Sequence, residues 1–172
     1  MGLSSVASGG IILVVLVLVF MTMPKLLDST LSLQGASTSI YQVENTISKT
    51  SISVDTLVAP TTYLNETTFT VHNTGQEKLW NFADFNVIIT YNAASGEFTQ
   101  SLSYAGTCHG IPAIGRWCID SIDDDILDPD ILNYGESLNV RSTVANSISS
   151  GSFIVTVGTD NGVIGTVSMT VP

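Results

Sequence analysis

Residues 1–24 carry no ionisable side chain, and the segment from Ile11 to Phe20 consists entirely of apolar residues. A helix over residues 3–24 would be roughly 33 Å long, close to the ~30 Å hydrocarbon core of a bilayer. The segment also lacks the polar face of a helix that packs on a soluble protein. We therefore predict a transmembrane anchor at residues 1–24, with an apolar centre formed by Ile11, Ile12, Leu13, Val14, Val15, Leu16, Val17, Leu18, Val19 and Phe20.

A cleaved signal peptide and a buried core helix are the alternatives to this anchor. A signal peptide has a basic N-terminal region and a small-residue cleavage site. No Lys or Arg precedes the apolar run, and the sequence from Pro24 to Leu27 does not resemble such a site. A retained single span is the favoured interpretation.

Charge and composition limit the kind of partner that the chain can bind and the compartment in which its domain lies. The chain carries 15 acidic and 5 basic side chains, a formal net charge of -10, which would repel nucleic acid. Lys25 is the only basic residue near the apolar run, so the positive-inside rule gives little information on orientation. Two cysteines, an N-glycosylation sequon and a Ser/Thr-rich acidic domain suit an extracytoplasmic space. We expect the domain after the anchor to lie there.

Residues 25–50 show a weak heptad of apolar residues, typical of a helix that pairs with a second helix along a narrow seam. Ser, Thr and Asn crowd the same segment and would also suit an extended linker. We predict a helical stalk, and a homodimer along its seam is the associated hypothesis. The seam residues are Leu26, Leu33, Ile40, Val43 and Ile47.

From Ser51 onward apolar and polar residues alternate, the pattern of half-buried β-strands. Turn signals such as Asn73-Thr74-Gly75 and Asp160-Asn161-Gly162 separate the strands. The pattern predicts strands at residues 51–57, 68–72, 86–91, 97–104, 137–144, 152–158 and 163–171. Such a series predicts an immunoglobulin-like β-sandwich over residues 51–172, without the disulfide spacing of immunoglobulins. The fold class is therefore mainly β, with an N-terminal transmembrane and stalk α-helix.

Cys108 and Cys118 enclose a short loop, and in an oxidising compartment we predict a disulfide that stabilises the domain by ~2 to 3 kcal/mol. A metal site that includes His109 and a redox dithiol are the alternatives, but zinc needs a fourth ligand and a C-x-x-C pair is absent. Apolar residues of the loop form a candidate partner contact, with packing of the tryptophan over the end of the sandwich as the alternative. These residues are Ile111, Ile114 and Trp117.

Six aspartates lie within residues 120–130. Such a density suits calcium, but the D-x-[DN]-x-[DN]-G pattern is absent, so a solvated acidic loop or one that faces a basic partner is favoured. Asn65-Glu66-Thr67 matches the N-glycosylation sequon, which makes Asn65 a candidate glycosylation site. The sequence contains no nucleophile elbow or other catalytic constellation, so we expect neither enzyme activity nor a cofactor.

Three segments together resemble the archaellar (archaeal flagellar) accessory protein F family: the opening Met1-Gly2-Leu3-Ser4, the apolar helix through Met23-Pro24, and the strand Thr68-Phe69-Thr70-Val71-His72-Asn73-Thr74-Gly75. The likeness in layout covers the whole chain. It implies a membrane-anchored stator component of the archaellum motor, with a β-sandwich in the pseudoperiplasm that binds the S-layer and associates with the sister accessory protein G. The cysteine loop and the aspartate cluster resemble an insertion relative to a compact family sandwich.

A stator needs a membrane tether, a spacer and a rigid adhesive head, and it needs no catalytic site. The alternative is a filament subunit related to type IV pilins and archaellins, in which the apolar helix would pack in a fibre core. The absence of a basic leader before the apolar run favours a fixed anchor over this alternative. A membrane-tethered substrate-binding or S-layer-attachment domain of unrelated origin is a third hypothesis.

Overall fold

The structure is a computed structural model that describes residues 3–57 and 65–172 of the chain. The chain divides into two compact units, Met1–Glu44 and Asn45–Pro172. Within the described part of the chain, no helix is both long enough and apolar enough to cross a membrane. Side chains are described for residues 12–21, 23, 34, 35, 37–55 and 65–172.

One α-helix, α1, spans Leu3–Lys49. Hydroxyl groups in its second half donate to carbonyl oxygens one turn earlier, from Thr38 to Gln34 at 2.9 Å and from Ser39 to Gly35 at 3.1 Å. These bonds give the hydroxyl groups partners within the helix, so they need no extended backbone. This explains how a Ser/Thr-rich segment is helical in the structure.

The strands that follow α1 form one ladder, in the order β1-β2-β6-β5-β4-β3-β7-β8. Neighbouring strands are antiparallel except for the parallel pair β4 and β5. A 3-10 turn at Phe82–Asp84 precedes β3. The strands are β1 Ile52–Leu57, β2 Glu66–Asn73, β3 Asn86–Ala93, β4 Gly96–Thr107, β5 Arg116–Asp123, β6 Ser137–Thr143, β7 Ile148–Gly158 and β8 Ile164–Val171.

The ladder folds around a single core because β4 changes partners along its length. Residues 96–102 of β4 pair with β3, whereas its later residues from Ser103 to Thr107 pair with β5. The two outer strands also come together, since a Cβ atom added to Gly165 of β8 would lie 2.9 Å from Val54 of β1. Glycine permits this close approach of the two strands.

Large apolar side chains from most of the strands fill the core. Each contributes about 1.5 to 3 kcal/mol when it is fully buried. The backbone N–H of Asn146 donates to the Tyr91 hydroxyl at 3.1 Å, so the polar end of this buried ring is satisfied. The largest fully buried side chains include Trp117, Tyr91, Phe69, Leu79 and Ile89.

The mainly β class is confirmed, and a strand lies at each of the predicted positions. The sequence pattern misses β5, because its buried residues Trp117, Cys118 and Ile119 are consecutive. Its pairing with β6 shifts register between Ile119 and Ser121, and a bulge of this kind removes the alternation that marks a strand. The immunoglobulin-like sandwich stays a prediction.

Candidate interaction surface

The end of β2 and the loop that follows it, Asn73–Glu77, contact the last turn of α1, and we call this segment the helix socket. The backbone N–H of Gln76 donates to the Lys49 carbonyl at 2.7 Å, and the N–H of Gly75 donates to the Ser51 carbonyl at 2.9 Å. The first of these bonds satisfies a carbonyl group that the helix end leaves without a partner, and the second holds the residue that leads into β1. The Asn73 side chain fixes the loop in turn, since its Nδ2 donates to the Leu132 carbonyl at 2.9 Å.

A second surface feature is a cleft of about 340 Å³, which we call the acidic cleft. Its position follows from a buried pair of residues, Leu79 and Leu132, which exchange backbone hydrogen bonds of 3.1 and 2.8 Å. This bridge joins the segment before the 3-10 turn to the segment after β5, and it leaves the next residue, Trp80, 67% exposed. The residues of the cleft used below are Trp80, Phe82, Tyr104, Asp120, Asp125 and Asp130.

The aspartate-rich segment after β5 forms ordered turns beside the acidic cleft. Asp124, Asp128 and Asp130 have φ angles of 62°, 52° and 67°, a left-handed conformation that aspartate tolerates better than most residues. The Asn133 side chain ties the segment together, since its Nδ2 donates to the Leu127 carbonyl at 2.6 Å. Among the described residues, no group of three or more His, Cys, Asp or Glu side chains is arranged to hold a metal ion.

Arg141 of β6 lies close to two carboxylates, those of Asp120 and Glu66. Its Nη2 donates to Asp120 at 2.9 Å, and its Nε lies 3.5 Å from the buried Glu66, an ion-pair separation without hydrogen-bond geometry. Asp128 pairs with Lys78. Within residues 65–172, neither Asp125 nor Asp130 has such a cationic partner.

The pKa of Tyr104 reflects the electrostatics of the acidic cleft. Burial raises the pKa of its hydroxyl, and the negative charge of Asp130 raises this pKa further. The ring of Tyr104 packs against Trp117, with ring centroids 4.6 Å apart. A phenol and a carboxylate in the same cleft are therefore close enough to interact electrostatically.

The predicted disulfide between Cys108 and Cys118 is present, with Cα atoms 5.1 Å apart. The loop that it closes exposes Ile111 by 47% and Ile114 by 62%. The prediction that Trp117 joins them in a surface contact is wrong, because Trp117 is only 1% exposed. Trp117 lies on β5 and points into the core. Because the sequence pattern did not predict β5, it did not predict this burial either.

Three polar side chains form a line across β1, β2 and β6. His72 contacts Ser137 through Nδ1 at 2.7 Å and Asp55 through Nε2 at 3.0 Å, the residue types of a Ser-His-Asp triad. A hydrolytic triad also needs backbone N–H donors for an oxyanion. The N–H groups of Thr74 and Gly135 beside it already donate to carbonyl oxygens, so this line is better explained as a polar strap across three strands.

Asn65 lies in a turn just before β2 and is partly buried. Its Nδ2, the atom to which a glycan would be attached, faces the Val144 carbonyl at 3.4 Å. Glycosylation of Asn65 stays a prediction.

The predicted anchor and seam residues on α1 are exposed wherever their side chains are described. From Ile12 to Phe20 the exposed fractions range from 47% to 67%. In the seam, Ile40 and Val43 are each 58% exposed and Ile47 is 43% exposed. The side chains of Ile11, Leu26 and Leu33 lie outside the described residues.

Trp80 and Tyr104 are the surface residues that sequence analysis missed. Trp80 follows a single buried leucine in a segment without a strand pattern, so periodicity gives no information about it. A tryptophan in an otherwise polar segment is a signal that could have marked it, because exposed aromatic side chains are enriched at binding sites.

No protein-family model and no curated protein matches the sequence. Among solved structures, the chain is similar to the archaellum periplasmic stator protein complex FlaF and FlaG from Sulfolobus acidocaldarius, with a TM-score of 0.48 and 17% identity over 68% of this chain and 88% of that chain. It is also similar to the archaellum periplasmic stator protein FlaG from the same organism, with a TM-score of 0.48 and 17% identity over 69% of this chain and 100% of that chain.

Proposed function

We propose that the chain is a membrane-anchored, non-enzymatic stator component of the archaellum motor whose extracytoplasmic β-rich head binds the S-layer. The observation that carries this proposal is the helix socket. Only Thr50 and Ser51 separate α1 from β1, and both the Lys49 and the Ser51 carbonyls are hydrogen-bonded to the socket. A stator must pass a reaction force from its head to its tether, and a hydrogen-bonded joint suits this task better than a flexible linker.

Residues 1–24 serve as the tether in this proposal, with Ile11–Phe20 in the hydrocarbon core of the cell membrane. The uncharged sequence of this segment supports a single span. The disulfide between Cys108 and Cys118 supports an oxidising, pseudoperiplasmic location for the head.

Two surfaces are assigned to partners. The seam of α1, with Ile40, Val43 and Ile47 exposed, is assigned to a second helix in a homodimer. The tip of the disulfide loop, Ile111 and Ile114, is assigned to the S-layer, because exposed apolar side chains on a covalently closed loop bind with little loss of conformational entropy. The sister accessory protein G of the archaellum is the further partner that the family resemblance suggests.

Binding to isolated S-layer tests this proposal. The full chain in detergent micelles, with its disulfide intact, is sedimented with S-layer sheets over a range of protein and salt concentrations. We expect saturable binding that weakens in an Ile111→Ser/Ile114→Ser variant and is unchanged in an Ile164→Ser variant, which removes an exposed isoleucine from β8. Absence of binding by folded, oxidised chain would contradict the S-layer role.

A filament subunit is the second candidate function. The observation that favours it is the continuous helix α1, whose described apolar side chains from Ile12 to Phe20 are exposed and would fill a fibre core. Removal of detergent distinguishes the two functions. Fibres of micrometre length with α1 buried would support a filament subunit, whereas reconstitution into vesicles as single spans would support the tether.

A further inference from the structure

The acidic cleft combines an exposed aromatic ring with two carboxylates, those of Asp125 and Asp130, that have no cationic partner among the described residues. Trp80 is 67% exposed at its edge, although a ring of this size is usually covered in a folded domain. Phe82 and Tyr104 add further aromatic surface to the lining. The bridge between Leu79 and Leu132 fixes the backbone next to Trp80, so this aromatic edge is held in place before any partner binds.

The negative charge of the cleft is not balanced within the domain. Asp120 is paired with Arg141, but Asp125 and Asp130 have no lysine or arginine partner among the described residues. In addition, Asp125 Oδ1 is shielded from solvent and receives no hydrogen bond, while its Oδ2 accepts one from the Asp130 N–H at 3.1 Å. A carboxylate in this situation is costly, and a cationic donor that reached it would offset the cost.

From this geometry we infer that the acidic cleft receives an arginine side chain of a protein partner. A guanidinium group is planar, stacks on an aromatic face, and donates to two carboxylates at once. A lysine ammonium is more strongly hydrated and lacks the flat face that Trp80 and Tyr104 would contact. At about 340 Å³ the cleft lies at the small end of ligand sites and has room for one long side chain.

This inference goes beyond the motor function and does not depend on it. The cleft lies among Trp80, Tyr104 and Asp130, whereas the proposed S-layer contact is the loop of Ile111 and Ile114. Variants at one surface therefore leave the residues of the other unchanged, and the two proposals fail separately.

Intrinsic fluorescence provides a local probe, because the chain has 2 tryptophans and Trp117 is buried. The full chain in detergent micelles is titrated with N-acetyl-arginine methylamide and, as the matched neutral control, with N-acetyl-citrulline methylamide. We expect saturable quenching of Trp80 by the arginine compound, and a dissociation constant about tenfold or more higher for the citrulline compound. The difference between the two dissociation constants should shrink at high salt, because the carboxylates are at the surface.

Two variants locate the binding. Asp130→Asn is expected to weaken arginine binding by about fivefold, since it removes one of the two unpaired charges. Asp160→Asn makes the same charge change in the turn between β7 and β8 and is expected to leave binding unchanged. Circular dichroism confirms that both variants remain folded.

Equal binding of the arginine and citrulline compounds would overturn the inference, as would an Asp130→Asn variant that binds like the parent. Saturation of the same quenching by Ca²⁺, with no response to the arginine compound, would overturn it in favour of a cation site. Trp80→Phe in the arginine titration should abolish the fluorescence response while calorimetry still detects binding.

Discussion

The carbonyl oxygen of Lys49, the last residue of α1, accepts a 2.7 Å hydrogen bond from the backbone N–H of Gln76 in the helix socket. This bond lies beside Gly75, where an added Cβ atom would be 2.4 Å from the Lys49 carbonyl oxygen and 2.3 Å from the Ser51 nitrogen. Backbone atoms cannot move aside as flexible side chains can. Glycine is therefore the one residue type at position 75 that leaves room for this close contact between the helix end and the head.

Replacement of Gly75 by alanine tests this joint. We expect Gly75→Ala to lower the free energy of unfolding of the head by about 2 to 4 kcal/mol, because the methyl group has to displace backbone. Gly158→Ala is the control, since its Cβ would meet Asn86 at 3.7 Å, an ordinary contact. Chemical denaturation of both variants measures the difference, and equal stabilities would show that the joint is not tightly packed.

The turn at Asn73-Thr74-Gly75 could be predicted from the sequence, but its role could not. A glycine after polar residues indicates a turn, and local composition carries that signal. That the turn contacts the end of α1 depends on the hydrogen bond between Gln76 and Lys49. These two residues lie far apart in the sequence, so no local pattern predicts their contact. Likewise Asp125 and Asp130 are visible as acids in the sequence, whereas their lack of a cationic partner within residues 65–172 and their proximity to Trp80 depend on tertiary structure.

The strands also show how far a local sequence pattern can predict the fold. β3 alternates in burial and was predictable, because one of its faces packs on the core. In β5 the bulge at Ile119–Ser121 removes the alternation, and Trp117 therefore resembles a loop residue until its partners on β6 are known. Local pattern identifies regular strands and misses those that the ladder distorts.

Arg141 is expected to contribute more to stability through Glu66 than through Asp120. Glu66 is buried, with its side chain 8% exposed, whereas that of Asp120 is 44% exposed. Arg141→Met should therefore lower the free energy of unfolding by about 1 to 3 kcal/mol, because it leaves a buried carboxylate without its cation. Asp120→Asn should cost less than about 1 kcal/mol.

A double variant provides the control for this prediction. Arg141→Met combined with Glu66→Gln should recover much of the lost stability, since no charge is then left buried. If the double variant is no more stable than Arg141→Met alone, the loss arises from packing of the arginine and not from its ion pair with Glu66.

Reduction of the Cys108–Cys118 disulfide should destabilise the head without unfolding its core. The bridge spans 10 positions of sequence, and closure of a loop of this size stabilises a fold by about 2 to 3 kcal/mol in the chain-entropy model. Trp117 and Ile119 on either side of Cys118 stay anchored by the pairing of β5 with β6. Unfolding of a Cys108→Ser/Cys118→Ser variant measures the change, and complete loss of cooperative unfolding would contradict this prediction.

The raised pKa of Tyr104 predicts a loss of stability in alkali. Burial, reinforced by Asp130, favours the protonated phenol in the folded state. The associated stability is present in full below the unfolded-state pKa of about 10 and is lost as the pH rises through the folded-state value, since the unfolded chain releases its proton first. From about pH 9 to about pH 11 the parent should lose more stability than Tyr104→Phe. Equal losses would contradict the shift.

Deletion of the gene in the organism that encodes the chain tests the motor role most directly. Swimming is scored by microscopy in the deletion cells and in the same cells complemented with the parent gene. The proposal predicts that deletion abolishes swimming and that the parent gene restores it. Deletion cells that assemble archaella and swim normally would contradict a stator function.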